Sequence, residues 1–597
     1  MRVLIGHLDT ELPPYDTARF EVRVVRYRPD GQLPASRIAE MLEQCPPGWK
    51  PDVYYHASAV HFPLPSDIET FDGLTATNIQ DWHRGGRAVW AAVGFFDLIL
   101  TERNSGALLR ASGYENTRFC RLWGVRPELH RTLPEIKKDI DILFIGSLNP
   151  AVWEERNRWV ARLARLSPRY RVVIAMGHYG EHYVRLTNRA KIVFNRSVNG
   201  CTNQRAYDGL ACGALVFNEE ENAETQEILE DRVHCVYYNA ENFEDLLDYY
   251  LTHDAERERI VAQGRERVLA AHTEAAHFHA LLETLEANLA MRHRPNAALP
   301  RAERAWRKAF QIYSASLPAG AEQGLARLAE AEEAGFEPGR IQEARAALHG
   351  WVAHYLPPGN EKVKLFSTAL EFARQAVQAN PYNPFAQTTL AFLLLERAEA
   401  TQGRPPTGRN DILEAAVALS QAAEMCERWL FESEAGEDEL TGFGYPRWAD
   451  SFDCRLERAY LARAMDPAQW KRETAAALAW RCRSMLSDLA AANDQREEAL
   501  RQARAAAQDI PTEAEALFRL ARCEALNGNL ADAVTYYQQG LALSPLSYPI
   551  WPEYMALLSA LNEPNLIQPF REDCQAIIDA IPTFAGIRAA LDAAEKQ

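Results

Sequence analysis

A chain of 597 residues exceeds what a single hydrophobic core organises, so several domains, or a domain joined to a repeat array, are expected. Hydrophobic residues make up 47% and charged residues 25%, ordinary values for a globular protein. The net charge of -17 argues against a general nucleic-acid binder, because neutralising phosphates needs a basic face.

The opening MRVLIGHLDTE is too short an apolar run for a signal peptide, carries Asp9 and Glu11 close behind, and predicts a first strand. Further strand candidates are FEVRVVRY, DVYYHAS, FDLILT, DIDILFIGS, YRVVIAM, AKIVFNR and GALVFN. Between them lie amphipathic stretches such as WEERNRWVARLARL and NFEDLLDYYLTH. This alternation is the pattern of parallel sheets covered by helices on both faces. There are enough strands for two sheets, with a seam near HRTLPEIKKDID. The predicted fold class is therefore α/β followed by all-α. Two Rossmann-like domains, residues 1–136 and 137–292, face each other across a cleft, and a helical region occupies 300–597.

The segment MRHRPNAALPRAER, with two prolines and no periodicity, marks the junction; it is short enough that the halves should pack together. Beyond it strand signals almost vanish. Ala514–Ser547 approximates the tetratricopeptide pattern of about 34 residues. Leu517, Leu520, Ala521, Gly528, Ala533, Tyr537 and Pro545 take its packing, turn and terminating positions. A weaker copy places Ala369, Ala376, Pro381, Leu390 and Ala391 in register, which predicts an α-solenoid, with a plain helical bundle as the alternative. No run of about 18 apolar residues predicts a membrane-spanning helix. The ten cysteines show no CxxC and no metal-ligand spacing against histidine. They read as reduced thiols of a cytoplasmic protein without a metal site.

The stretch Cys201 to Phe217 reads as a helix closed by Gly213 and running into a buried strand, with Arg205 and Asp208 one turn apart. A cation near the helix N-terminus and an anion further along both oppose the macrodipole. The order makes more sense if Thr202, Asn203 and Arg205 face an anionic ligand such as a diphosphate. The alternative is an ordinary surface salt bridge beside a helix cap. Gly146 and Ser147 follow the strand DILFI and precede Asn149 and Pro150, an N-cap and first-turn pair for the next helix. Ligands of α/β sheets bind at such turns. Neither GxGxxG nor a P-loop signature occurs, which counts against a dinucleotide oxidoreductase and a P-loop nucleotidase. Lys191, at the start of KIVFN, is a candidate second phosphate partner.

The sequence EHYVRLTNRAKIVFNRSVNGCTNQRAYDGLACGALVF resembles the donor-binding region of GT-B glycosyltransferases, specifically the group related to spore-maturation (CgeB-like) glycosyltransferases. That group has a strand ending in Asn, a short loop, an Asn-x-Arg-x-aromatic-Glu-Ala-x-Ala-Cys-Gly-Ala helix, and another strand. Here those positions hold Asn195, then Asn203, Arg205, Tyr207, Asp208, Gly209, Ala211, Cys212, Gly213 and Ala214. The resemblance covers roughly Pro51 to Leu285. It implies a nucleotide-sugar in the cleft, with Asp208 on the ribose hydroxyls and Arg205 and the helix N-terminus on the diphosphate. Asn218 and Glu219 are candidate sugar contacts. It also implies no metal and no cofactor beyond the nucleotide-sugar co-substrate, a UDP-sugar first among the candidates. Asp208–Gly209 departs from the group's Glu-Ala: the carboxylate is one methylene shorter, and glycine costs a helix about 1 kcal/mol relative to alanine.

A transfer that inverts the anomeric centre needs a base for the acceptor proton. Two clusters in the first domain lie just past strand-like segments: YYHASAVHFPLP, with His56 and His61, and TATNIQDWHRGG, with Asp81 and His83. The order of preference is Asp81, His83, His56; Glu102 is a further cleft candidate, and Trp82 could stack on a sugar. A retaining enzyme would need no such base. The expected function is a nucleotide-sugar-dependent glycosyltransferase whose helical repeats recruit a protein or peptide acceptor. The combination is similar to the protein O-linked N-acetylglucosamine transferases, in which the repeats come first. The alternatives are a catalytically inactive GT-B scaffold with adaptor repeats, and a nucleotide-sugar epimerase, which has no use for an acceptor-docking array.

Overall fold

The computed structural model describes the chain except residues 7–10, 26–36, 81, 122, 151, 316–319, 402–406, 432–441, 446–450, 464–465 and 597. The first sheet contains β1 (Arg2–Gly6), β2 (Glu21–Val25), β3 (Val53–His56), β4 (Leu74–Ile79), β5 (Leu98–Thr101) and β6 (Thr117–Phe119), in the order β2-β1-β3-β4-β5-β6. The second contains β7 (Ile140–Ile145), β8 (Val172–Ala175), β9 (Ala190–Phe194), β10 (Leu215–Glu219) and β11 (Val236–Tyr238), in the order β11-β10-β9-β7-β8. Every pairing is parallel. Their Val, Ile and Leu runs are buried on both faces, as parallel sheets require.

All eight strands expected from the sequence are present. β4 is additional because Thr and Asn interrupt its apolar run, and β6 and β11 because each has only three residues. From β7 the chain goes to β8 on one side and then returns to β9 on the other. That reversal opens a crevice at the carboxyl ends of β7 and β9, the place where open α/β sheets bind ligands. The helix Glu274–Ala287 then crosses back and buries Leu281, Leu282 and Leu285 among Val3, Ile5, Leu98 and Leu100 of the first sheet.

The junction to the helical half is fixed, as its shortness suggested. Arg294 bonds the Asp97 carboxylate and the carbonyls of Phe71 and Gly73. From Arg301 to Glu595 the described residues form helices and no strand. The segment with the clearest repeat pattern is a helical hairpin, Ala514–Leu526 and Leu530–Leu543, turned at Gly528 with φ +82°. Gly540 lets its two helices touch: a Cβ there would sit 2.4 Å from the Phe518 ring. No described helix is long and apolar enough to cross a membrane, and the described cysteines form no disulfide with one another.

The array clasps both α/β domains. At one end Arg87, on the helix Gly86–Ala92, is fully buried; its backbone N–H and Nε donate to Glu457 at 2.7 and 2.8 Å, and Nη1 donates to the Phe443 carbonyl at 2.9 Å. Gln311 adds bonds to Ala59, Phe62 and Leu64. At the other end Trp551, Met555, Ile577, Ile578 and Phe584 share one core with Ile142, Phe144, Val172 and Ile174. The last helices of the chain thus complete the apolar layer over the second sheet, a role usually taken by a domain's own helices.

Glu457→Ala strands the buried Arg87 guanidinium and should lower the unfolding free energy by about 3–5 kcal/mol, read by urea denaturation. Glu457→Gln, which keeps an acceptor, should lose less. Equal midpoints for Glu457→Ala and the parent would show that this junction is energetically idle.

Candidate functional site

The carboxyl ends of the two sheets face each other and enclose a cavity of about 240 Å³. From the first domain it is lined by Gln80 beyond β4, Glu102 beyond β5, Cys120 beyond β6, and His83. From the second it is lined by Trp153, Arg156, the loop Val198–Gln204, Tyr207 and Glu224. The walls are latched together. Asn104 Nδ2 donates to the Asn199 carbonyl, and Asn199 Nδ2 lies 2.8 Å from His83 Nδ1. Glu224 accepts from the backbone N–H of Arg103 on one side and Thr202 on the other, each at 3.2 Å. Glu227 takes Arg103 and Arg121 at 2.8 and 2.7 Å.

The helix Gln204–Ala211 enters this cleft by its N-terminus. Asn199 and Gly200 adopt left-handed backbone that reverses the loop after β9. Asn203 caps the helix, its Oδ1 accepting from the Arg205 N–H at 3.1 Å. Asn195, fully buried at the end of β9, ties the parts together. Its Oδ1 accepts from Asn203 Nδ2 at 2.9 Å and Arg205 Nε at 3.1 Å, while its Nδ2 donates to Asn218 Oδ1 at 2.9 Å. Gly213, at φ +81°, ends the helix as expected.

Arg205 does not form the surface ion pair with Asp208 that the spacing allowed. Its guanidinium turns toward β7, donating to the carbonyls of Ile145 at 2.8 Å and Arg196 at 3.2 Å, and lies 4.7 Å from the centre of the Phe144 ring. Its described partners are all neutral oxygens. Burial partly desolvates the charge, which lowers its pKa, and none of its described hydrogen-bond partners is a carboxylate. Gly146 makes room for it, since a Cβ there would lie 2.9 Å from Nη1.

Asp208 points the other way. It is 2% exposed, accepts from Gln204 Nε2 at 2.9 Å, and lies 3.0 Å from Nδ1 of His130 in the segment joining the two sheets. Burial pushes its carboxyl well above the usual range and lowers His130 to about 4, so burial disfavours the charged form of both. Gly209 is explained by packing: a Cβ would lie 2.6 Å from Val216 Cγ2, so glycine lets the helix settle closely on β9 and β10.

Of the other expected site residues, Thr202, Asn203 and His83 line the cleft, whereas Gly146 and the exposed Ser147, just beyond β7, are not among its lining residues. Three others do not assemble there. Lys191 sits at the amino end of β9, bonded to Asp141 at 2.7 Å, and parallel strands put that end at the opposite pole from the cleft. His56 is fully buried, with Nδ1 at 3.0 Å from the Tyr54 hydroxyl and Nε2 at 3.2 Å from the Phe62 carbonyl, which makes it a core histidine. Asn218 is buried in β10 as the partner of Asn195. Asp81 lies outside the described residues. Asn149 and Pro150 do not start the next helix, which begins at Glu154 with Trp153 as its cap residue. Glu224, Trp153 and His130 escaped notice, because an acid in an acidic run, a lone tryptophan and a linker histidine carry no local signal.

The His130–Asp208 pair carries opposite pH terms. His130, lowered in the fold, contributes stability that is full above about 6.5 and lost as pH falls toward about 4. Asp208, raised in the fold, costs stability progressively as pH rises above its unfolded value near 3.8. His130→Gln should therefore flatten the loss of stability between pH 6.5 and 4, and Asp208→Asn should be at least as stable as the parent at pH 7. Parallel curves for parent and His130→Gln in thermal unfolding would refute the first.

Residues 126–283 match the family model described as glycosyl transferase-like. No curated protein matches the chain. Among solved structures, HepE of Anabaena in complex with UDP-glucose is 12% identical over 48% of this chain and 100% of that one, with a TM-score of 0.36. TarM of S. aureus is 11% identical over 39% and 54%, with a TM-score of 0.31. Human IFIT1 is 16% identical over 60% and 73%, with a TM-score of 0.23. All three likenesses are distant. The family match covers the whole second sheet together with Asn195, Arg205, Asp208 and His130, and over those residues the chain is similar to glycosyl transferase-like proteins.

Proposed function

We propose that this protein is a glycosyltransferase that moves a sugar from a nucleotide-sugar, a UDP-sugar first among the candidates, to a protein or peptide acceptor recruited by its helical repeats. The observation that carries this is Arg205: a guanidinium bonded only to neutral oxygens among the described residues, beside Gly146 and a capped helix N-terminus, within the matched segment. Such a charge is costly to bury and becomes useful when a dianionic diphosphate arrives. Asparagine at 195 fits this role, since aspartate there would cancel the charge. In this proposal Arg205 and the helix N-terminus stabilise the departing nucleotide in place of a metal, so chelators leave the rate unchanged.

The cleft as described is narrow: about 240 Å³ is below the roughly 300–1,000 Å³ usual for small-molecule sites, and in this proposal the latch through Glu224 and Glu227 parts to admit the donor. Within the cleft Glu102 is the better candidate base. Burial raises its carboxyl above the usual range, and the Thr101 and Ser105 hydroxyls hold it in place. His83 stands on the wall of the same cleft with Nδ1 2.8 Å from the Asn199 amide nitrogen. One observation favours an inactive scaffold instead: Asp208 faces His130 and not the cleft.

Titration calorimetry with UDP, GDP and dTDP tests the proposal. One nucleotide should bind, and Arg205→Met should weaken it by about ten- to a hundredfold while leaving thermal stability equal or higher. No binding by any nucleotide would leave the scaffold reading. Glu102→Gln should abolish transfer while keeping nucleotide affinity, and the acid limb of the parent's rate profile should lie above the ordinary carboxylate range. Retained transfer in Glu102→Gln would remove it as base.

A further inference from the structure

A second cavity, about 770 Å³, lies on the far side of the loop that follows β7. Leu148 and Met176, just past the ends of β7 and β8, form one wall; Phe518, Leu546, Tyr548 and Phe584 of the helical array form the other. Neither half of the chain owns this site, and their association creates it. Tyr548 is 41% exposed with its ring 4.5 Å from that of Phe584, so aromatic surface faces the opening. At the rim stand Glu154 and Arg158, one turn apart on the helix Glu154–Ala164. Such a pair normally bonds to itself, yet neither is in an ion pair with any described residue. Glu513 and Glu515, also at the rim, are already bonded to Arg455 and Arg519.

The loop after β7 has two faces. Leu148 to Pro150 line this cavity, and Trp153 lines the cleft. An occupant of the cavity is therefore one loop away from the cleft. A bare sugar would leave hydroxyls unpaired against this apolar floor, and a rim richer in carboxylates than in guanidinium repels a nucleotide. Open charges of both signs around an aromatic floor complement an extended polypeptide that carries one bulky apolar side chain between charged neighbours.

We propose that this cavity is the docking site for the acceptor polypeptide, holding an aromatic or large aliphatic residue against Tyr548, Phe518 and Phe584 and so delivering the neighbouring segment to the cleft. This rests on the glycosyltransferase proposal for its purpose, but its test does not. Random dodecapeptides displayed on phage are selected on the full-length protein and counter-selected on Ser547→Trp, which fills the cavity from its wall. Enriched peptides should share an aromatic residue or leucine, and synthetic copies should bind Ser547→Trp at least tenfold more weakly. Tyr548→Ala, at a half-exposed position, should retain the parent melting temperature and show the same weakening, with nucleotide affinity unchanged in both variants. No enrichment, or equal binding to parent and Tyr548→Ala, overturns the site. Peptide binding in a protein that binds no nucleotide leaves the docking site standing and sinks the glycosyltransferase proposal alone.

Discussion

The second sheet has an apolar face that the helices of its own domain cover only in part. Beside Val160, Leu163, Phe243 and Leu247, the core of Ile142, Phe144, Val172 and Ile174 is completed by Trp551, Met555, Ile577 and Phe584, from helices that arrive at the far end of the chain. Apolar burial of this size is the largest favourable term available to the fold. Because the array is already anchored on the first domain through Arg87 and Glu457, satisfying the second sheet forces it to arc around both domains. The cleft, its latch and the second cavity are consequences of that clasp. The Arg165–Asp573 pair, exposed at the same junction, adds orientation more than energy.

Within the clasp, the helix Gln204–Ala211 separates charge by direction. Its cation turns toward the strand ends and its anion toward the linker, so each meets a different solution to burial. Arg205 keeps its charge among neutral oxygens. Asp208 is buried against His130, where desolvation disfavours its charged form. The first arrangement retains electrostatic strength for a ligand; the second couples the helix to the segment on which the domains join.

Much of the architecture was legible in the sequence because it rests on local periodicity. Apolar runs of strand length gave eight of the strands, and the shift to helical spacing near residue 300 gave the all-helical half. Gly213 as terminator and Gly528 as a turn followed from backbone chemistry that a single residue carries. Short strands without a continuous apolar run, β4, β6 and β11, did not announce themselves.

The site was legible in part. Thr202, Asn203 and His83 reach the cleft because each lies just past the carboxyl end of a strand, a position topology alone dictates. Lys191 failed by the same rule, being at the amino end. What the sequence by itself determined is which segments become strands and helices, and which residue types stand at their ends. Only the tertiary structure decided where Arg205 and Asp208 point, what covers the second sheet, and that a cavity forms between distant halves. The reason is physical: propensity and capping act within a few residues, whereas a buried charge or an apolar face is satisfied by whatever the fold brings into contact.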